Sequence, residues 1–577
     1  MKRFSPTRRR MHTATVALLL VALSVFPSGC FTDQTYPPYY GQVIVPRSQA
    51  FRWIDGGLPQ TFDPAFAAAA PDTDLVRALF EGLTDYDSRT LAPVPAVATR
   101  WESSSDARTW TFYLREDARW SNGEAVVAKD FVDSWRRTMR IGELAPHTDL
   151  LSNIVGSAAE AVMPVPDSKT ARIGGTVTPP TNTRDSRFGA EAVNSHVLRV
   201  HLLSPDLNFP ALVAHPVFRP VKVAEQDSTK RLGPTGLVSN GAFLLAKNEG
   251  DRVLLERATN YWGKDAVSLQ QVEFIGAANA EAALAAYRDG DVDAVTNASF
   301  EPLGLKLLAP YRDFHRETYG ALTYYSLNIA HAPFDDVRVR EALAIAIDRE
   351  RLSQDEMGGS TEPAKKFLPE VATEETKPVV AKAELLETDG KRARSLLAEA
   401  GYPDGKGFPV VRLLVNRNEQ QRLVAQSIAQ MWRNVLNVET QIDVKGWDEF
   451  EAMIRSGSYD VVRRGIVMQT TDELTNIKML FQEEPQRPAP TAISQTGTAA
   501  VEETTKEPAH SIIDKKSTAP TRVESEAEAL KELRAIPLYF ASSHALVKPY
   551  VTGFDSNLLD APSLKQVRID TNWRGSQ

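Results

Sequence analysis

Residues 420–462 read QQRLVAQSIAQMWRNVLNVETQIDVKGWDEFEAMIRSGSYDVV. Their patterning predicts a long helix over 420–436, a strand over 438–444 and a second helix over 449–455. Gly457 then turns the chain into a strand at 459–462. Helix and strand in alternation mark an α/β chain. The same alternation extends upstream. Strands are expected at 42–46, 50–54, 109–114 and 196–203, and helices at 74–83, ended by Gly82, and 128–137. Residues 121–123 (Ser-Asn-Gly) form a turn, and 240–257 reads as a β-hairpin around the turn formers of 247–251. Asn279 is placed to cap a helix over 280–288, followed by a turn at 289–293 and a strand. Asp335 or Asp336 is placed to cap an amphipathic helix running to Ile347. Downstream, 525–534 is ordered and 536–540 is a strand.

A chain of 577 residues exceeds a single core, so two or three domains are expected. Its 42% hydrophobic and 24% charged residues are those of a globular protein. The first acidic residue is Asp33, and five basic residues precede it, so removing that leader takes the formal charge from −8 to −13. Such an acidic body excludes nucleic acid and anionic membrane as partners. One segment departs from the pattern. Residues 484–522 are dense in Pro, Thr, Ser, Ala, Glu and Lys and contain no aromatic residue. They cannot bury enough apolar area to offset a chain entropy of roughly 1–2 kcal/mol per residue, so a poorly ordered surface insertion is expected.

The N-terminus carries a basic stretch, an apolar run over 14–23 continuing through Val25 and Phe26, and then Ser28-Gly29-Cys30. The run is shorter than the roughly 20 residues of a spanning helix, and the whole reads as a secretory signal peptide. Cys30, the single cysteine, resembles the lipobox cysteine of bacterial lipoproteins, with Pro27 departing from the usual aliphatic residue. That likeness implies a lipid anchor at Cys30 and an extracytoplasmic body. Residues 31–42 read as its polar tether.

No catalytic signature is present: no Gly-x-Ser-x-Gly elbow, phosphate loop or His-Glu-x-x-His. Histidines 147, 196, 201, 215, 315, 331, 510 and 544 are scattered singly, and no set of three or four converging metal ligands is legible. Neither an enzyme, a metal nor a cofactor is expected.

Four stretches together resemble the oligopeptide- and dipeptide-binding lipoproteins of ABC importers, solute-binding family 5. They are LFEGL (79–83), WTFYLREDARWSNGEAVVAKDFVDSW (110–135), SNGAFLLAKNEGDRVLLERATNYWG (239–263) and YYSLNIAHAPFDDVRVREALAIAIDRE (324–350). A fainter fifth is IPLYFASSHALVKPYVTGF (536–554). Physically these motifs are scaffold, with Trp110, Phe112 and Trp120 read as packing. The resemblance implies an α/β, two-lobed periplasmic-binding-protein fold (class II, cluster C type) with a hinge and an extra domain in the first lobe. The expected division is a signal peptide at 1–30 and a tether at 31–42. The first-lobe core takes 43–79, 197–305 and 543–577, with the extra domain at 80–196 and the second lobe at 306–542.

The resemblance also implies a ligand clamp, written approximately Gly-Trp-x-x-Asp, whose acid holds the peptide α-amine. Here the matching stretch is YDVVRRGIVMQTTDEL (459–474), with Ile466 at the tryptophan position and Gln469 at the acid. A neutral amide cannot neutralise an ammonium. Three readings stay open: Asp472 or Glu473 supplies the charge; the ligand lacks a free α-amine or binds in another frame; or the pocket has lost that role. Trp447 falls at a pocket-wall tryptophan and Arg463, beside Arg464, at an arginine that pairs with the ligand carboxylate. His147 falls near a tyrosine lining the cleft. The implied function is extracytoplasmic capture of peptides and delivery to permease subunits, by a monomer that meets the membrane only through its lipid. A sensor or scaffold lipoprotein, or import of a non-peptide solute, are the alternatives.

Overall fold

Two long antiparallel strands, Phe314–Leu327 and Ala535–Val547, run through the centre of the molecule. In the computed structural model, which describes residues 38–158, 188–223, 229–370, 385–481, 523 and 525–574, they pair in two separate blocks. Phe314–Thr318 faces Ser542–Leu546, and Leu322–Ser326 faces Ala535–Phe540, with a break in register between Thr318 and Leu322. A break in a ladder bends the strand and leaves residues unpaired. Gly320 lies in this break. Its N–H donates to the Leu558 carbonyl at 2.8 Å, and its carbonyl accepts from Met468 N–H at 2.7 Å.

On one side of the crossing strands lie Ala294–Thr296, Ala50–Asp55, Gln271–Ile275, Arg252–Arg257 and Phe243–Glu249, in that order. On the other side lie Val461–Val467, Val411–Asn416 and Thr440–Lys445. Each wing has its own apolar core. The first is built on Phe51, Trp53, Leu79, Phe112, Trp135 and Phe274. The second is built on Tyr325, Leu343, Leu413, Ile428 and Trp432. The first lobe also carries a four-stranded antiparallel sheet, Ala98–Ser103, Thr109–Leu114, Val197–His201 and Ala190–Asn194, packed with the helix Ala128–Ile141. This is a two-lobed α/β fold.

Local signals act as their chemistry requires. Asn279 accepts from Ala282 N–H, and Asp336 rather than Asp335 caps Val337–Ile345. The hairpin turns on Gly250, at φ +62°. Trp110, Phe112 and Trp120 are buried.

Three expectations change. Residues 42–46 form no strand: both edges of Ala50–Asp55 are already taken by Gln271–Ile275 and Ala294–Thr296, so no ladder is open to them. Val43 and Val45 pack on the first core instead. The helix expected to end at Gly82 is Asp72–Leu79. The Asn240 amide accepts from Glu81 N–H and donates to Glu81 carbonyl, both at 3.0 Å, which pulls the chain out of the helix early. Finally, the end of the supposed tether is anchored. Tyr40 N–H donates to the Asp313 carboxylate, Gln42 N–H to Arg288 carbonyl, and Tyr39 meets Trp573 edge-on. The signal stretch, Cys30 and 484–522 lie outside the described residues.

Candidate ligand site between the lobes

Val411–Asn416, Thr440–Lys445 and Val461–Val467 are mutually parallel, so their carboxyl ends emerge on one edge of the second lobe. In an open α/β sheet that edge is where ligands bind. It brings Asn416, Trp447 and the segment from Arg463 to Asp472 to one end of the sheet.

Arg463 and Arg464 are adjacent on a strand and project to opposite faces. Arg463 lies opposite Tyr325 and Arg464 opposite Tyr324. Arg464 is hydrogen-bonded to the Tyr324 hydroxyl. The Arg463 guanidinium lies over Gly465, where an added Cβ would sit 3.2 Å from Nη2. Its buried Nε has no hydrogen-bond partner, and neither have the Tyr325 hydroxyl and Asn416 Oδ1. Among the described residues no carboxylate is within ion-pair distance of Arg463 or Arg464. A half-buried cation with open donors and no counter-charge is a receptor for an anion.

Trp447 opens the helix Trp447–Ser456 after Gly446. It is 63% exposed and stacks on Phe450, with ring centroids 5.8 Å apart. It is therefore an open aromatic face and not a core residue.

Gln469 meets the first lobe. Its Oε1 lies 3.1 Å from Nε2 of His215, and its Nε2 donates to Val467 carbonyl at 3.1 Å. His215 precedes the short helix Pro216–Phe218, and its Nδ1 accepts from Val217 N–H. Burial first, then the neighbouring His147, Arg219 and Arg77, holds the His215 pKa well below its usual value, with Gln469 opposing. His215 is therefore neutral. With Nδ1 used as acceptor, its proton sits on Nε2 and is donated to Gln469. His147 packs against His215 edge-on, centroids 4.8 Å apart, and its own Nε2 lies 2.9 Å from Ala68 carbonyl.

Asp472 also joins the lobes. Oδ1 accepts from Asn208 Nδ2 at 2.6 Å and Oδ2 from Thr475 N–H at 2.7 Å. Burial and the Asp472 charge push nearby Asp206 up to about 6. Glu473 is committed elsewhere, accepting from Glu526 N–H at 2.8 Å. Of the carboxylates expected to replace the clamp acid, one is a strut between the lobes and the other turns away.

Residues 92–487 fit the family described as bacterial extracellular solute-binding proteins, family 5, middle region. The chain belongs to that family. The periplasmic oligopeptide-binding protein OppA of Escherichia coli is 28% identical over 531 residues, covering 89% of this chain and 91% of the relative. The unliganded open form of the periplasmic murein tripeptide-binding protein MppA superposes with a TM-score of 0.69 at 26% identity, covering 91% and 98%. Haemophilus influenzae OppA in complex with the peptide RPPGFSPFR gives 0.58 at 25% identity, covering 91% and 100%.

In this family 5 protein the bridge residues are Asn208 and His215 on one lobe and Gln469 and Asp472 on the other, with His147 packed behind His215. His215 and Asn208 were not legible as site residues. The one local signal was His215-Pro216, a helix-start dipeptide whose histidine can serve as a cap. Among the described residues there is no group of three or more metal-ligating side chains and no helix long and apolar enough to cross a membrane.

Proposed function

We propose that this protein captures peptides between its two lobes outside the cytoplasmic membrane and delivers them to the permease subunits of an ABC importer. The observation that carries the reading is the bridge itself. Polar side chains of both lobes meet at Gln469 and Asp472, next to two crossing strands whose pairing breaks at Gly320, and the unneutralised Arg463 lies upstream on the strand that leads to them. A ligand touching both lobes stabilises the closed arrangement by its differential affinity for it. An extended peptide supplies backbone donors and acceptors indifferent to side chains, which suits a general receptor.

In this reading Arg463 takes the ligand carboxylate and Trp447 offers an apolar wall. Gln469 and His147 line the other end, and Asp472 keeps the lobes in register. None of these groups catalyses a reaction. Cys30 bears the lipid that holds the protein at the membrane as a monomer. In this reading 306–542 forms the second lobe.

Thermal shift of the full chain in detergent against a library of tri- to hexapeptides tests the reading. A raised transition with a subset of peptides supports it. No shift with any peptide at millimolar concentration overturns it. For the anchor, Cys30→Ala is expected to move the protein from the membrane to the soluble fraction.

A further inference from the structure

The end of the site formed by Gln469 and His215 is electrically neutral, and its hydrogen-bond polarity is fixed. His215 Nδ1 is occupied by Val217 N–H, so Nε2 donates and Gln469 Oε1 accepts. That sets the Gln469 amide: its nitrogen points away from His215, one N–H goes to Val467 carbonyl, and the second N–H remains to be offered. An ammonium brings three donors and a full charge to this point. It would meet an N–H and an amide oxygen already engaged, and no anion.

The surroundings do not make up the difference. Asp472 has Asn208 on one oxygen and Thr475 N–H on the other. Glu473 faces Glu526 N–H. His147, Arg219 and Arg77 all oppose a proton on His215, which stays a neutral donor to Gln469. On the strand leading to Gln469, Arg463 and Arg464 add two cations with no carboxylate in reach among the described residues. The site as a whole favours a ligand that is anionic at one end and uncharged at the other.

Building on the peptide reading above, we infer that the preferred ligands are peptides whose terminal nitrogen is acylated. The acyl oxygen accepts from the Gln469 amide while the carboxylate is held by Arg463. An acyl-amide end brings the carbonyl acceptor that the remaining Gln469 N–H lacks, and needs no counter-charge.

Calorimetric titration of the full chain in detergent with matched pairs of tri- to hexapeptides, each free and N-acetylated, tests this. The acetylated member of a pair is expected to bind at least ten-fold tighter. Gln469→Asp, checked for an unchanged melting transition, is expected to reverse the order. Equal or tighter binding of the free-amine member to the unaltered chain overturns the inference and leaves the peptide reading intact. Binding of neither member across the series overturns both.

Discussion

Asn208 Nδ2 lies 2.6 Å from Oδ1 of Asp472, so a side chain of the first lobe donates to a carboxylate of the second. The other carboxylate oxygen accepts from Thr475 N–H at the start of the helix Glu473–Phe481. This bond is made across the cleft, and opening the lobes breaks it. A hydrogen bond to a charged acceptor is worth about 1.5–3 kcal/mol when sheltered and less at a partly exposed edge. Asn208→Ala is expected to lower the affinity for any ligand bound between the lobes about five-fold, without changing the melting temperature. Small-angle scattering of the ligand-free variant should show a larger radius of gyration than the unaltered chain.

Glu81 joins three segments that are distant along the chain. Its carboxylate accepts from the Tyr261 hydroxyl and the Trp262 indole, and Lys565 Nζ lies 3.1 Å away. Lys565 in turn pairs with Asp85. Glu81→Ala leaves the buried Tyr261 hydroxyl without its acceptor and removes one of two counter-charges of Lys565. Breaking such a buried set costs about 3 kcal/mol or more. Chemical denaturation should show the transition at clearly lower denaturant, with ligand affinity in the folded baseline unchanged.

What the sequence disclosed and what it hid divide along contact distance. The Asn279 and Asp336 caps were legible because their partners sit two or three residues away. Alternation in Thr109–Leu114 revealed a strand buried on one face. By contrast, His215 and Gln469 are 254 residues apart, and nothing local to either names the other. The early end of the helix Asp72–Leu79 is likewise imposed by Asn240, 159 residues from Glu81. Valines 43 and 45 alternate as a strand would, but a strand also requires an open edge, which sequence does not display. Trp447 could be read as core or as pocket wall, and only its exposure decides against core.

Asp55 and Asp74 lie deeply buried and interact electrostatically in the first lobe, with Asp560 nearby, and Oδ2 of each has no hydrogen-bond partner among the described residues. Asp55 also accepts from Thr296 and Asn297, at 2.8 and 2.7 Å. Burial chiefly, opposed by Asn297, Thr296 and Asp74 and reinforced by Asp560, pushes Asp55 up to about 6. Burial and then Asp55 push Asp74 well above the usual carboxylate range. Both groups hold a proton more tightly folded than unfolded. The stability they contribute is full below about pH 4 and is lost as pH rises through 6 and beyond. Asp74→Asn is expected to raise the melting temperature by several degrees at pH 7.5 and to leave it unchanged at pH 4. An equal gain at both values would rule out proton linkage.

Gly41 sits at φ +76°, and a Cβ there would lie 2.4 Å from the Arg288 backbone. No other residue allows Tyr40 to reach Asp313 while Gln42 bonds Arg288 carbonyl. Gly41→Val is expected to release residues 38–46 from the first lobe. Limited proteolysis should then cut within this stretch many times faster than in the unaltered chain, while peptide affinity is retained.

Arg463 and Arg464 give a sharper test, because neighbours of equal charge on opposite faces of one strand have unequal roles. Arg463 lies over Gly465 with Nε unpartnered, at the edge where the parallel strands end. Arg464 is engaged by Tyr324. If Arg463 receives the ligand carboxylate, Arg463→Met removes a charge-assisted pair. Calorimetry should then show a loss of about ten- to a hundred-fold in affinity, corresponding to about 1.5–3 kcal/mol. Arg464→Met should lose less than three-fold. Gly465→Ala, which crowds the guanidinium without removing it, should fall between them. Raising the salt from 50 to 500 mM should weaken binding to the unaltered chain and to Arg464→Met alike, but hardly affect Arg463→Met, whose main counter-charge is gone. Equal losses in the two methionine variants would mean that general positive potential, and not a seat at Arg463, draws the ligand in.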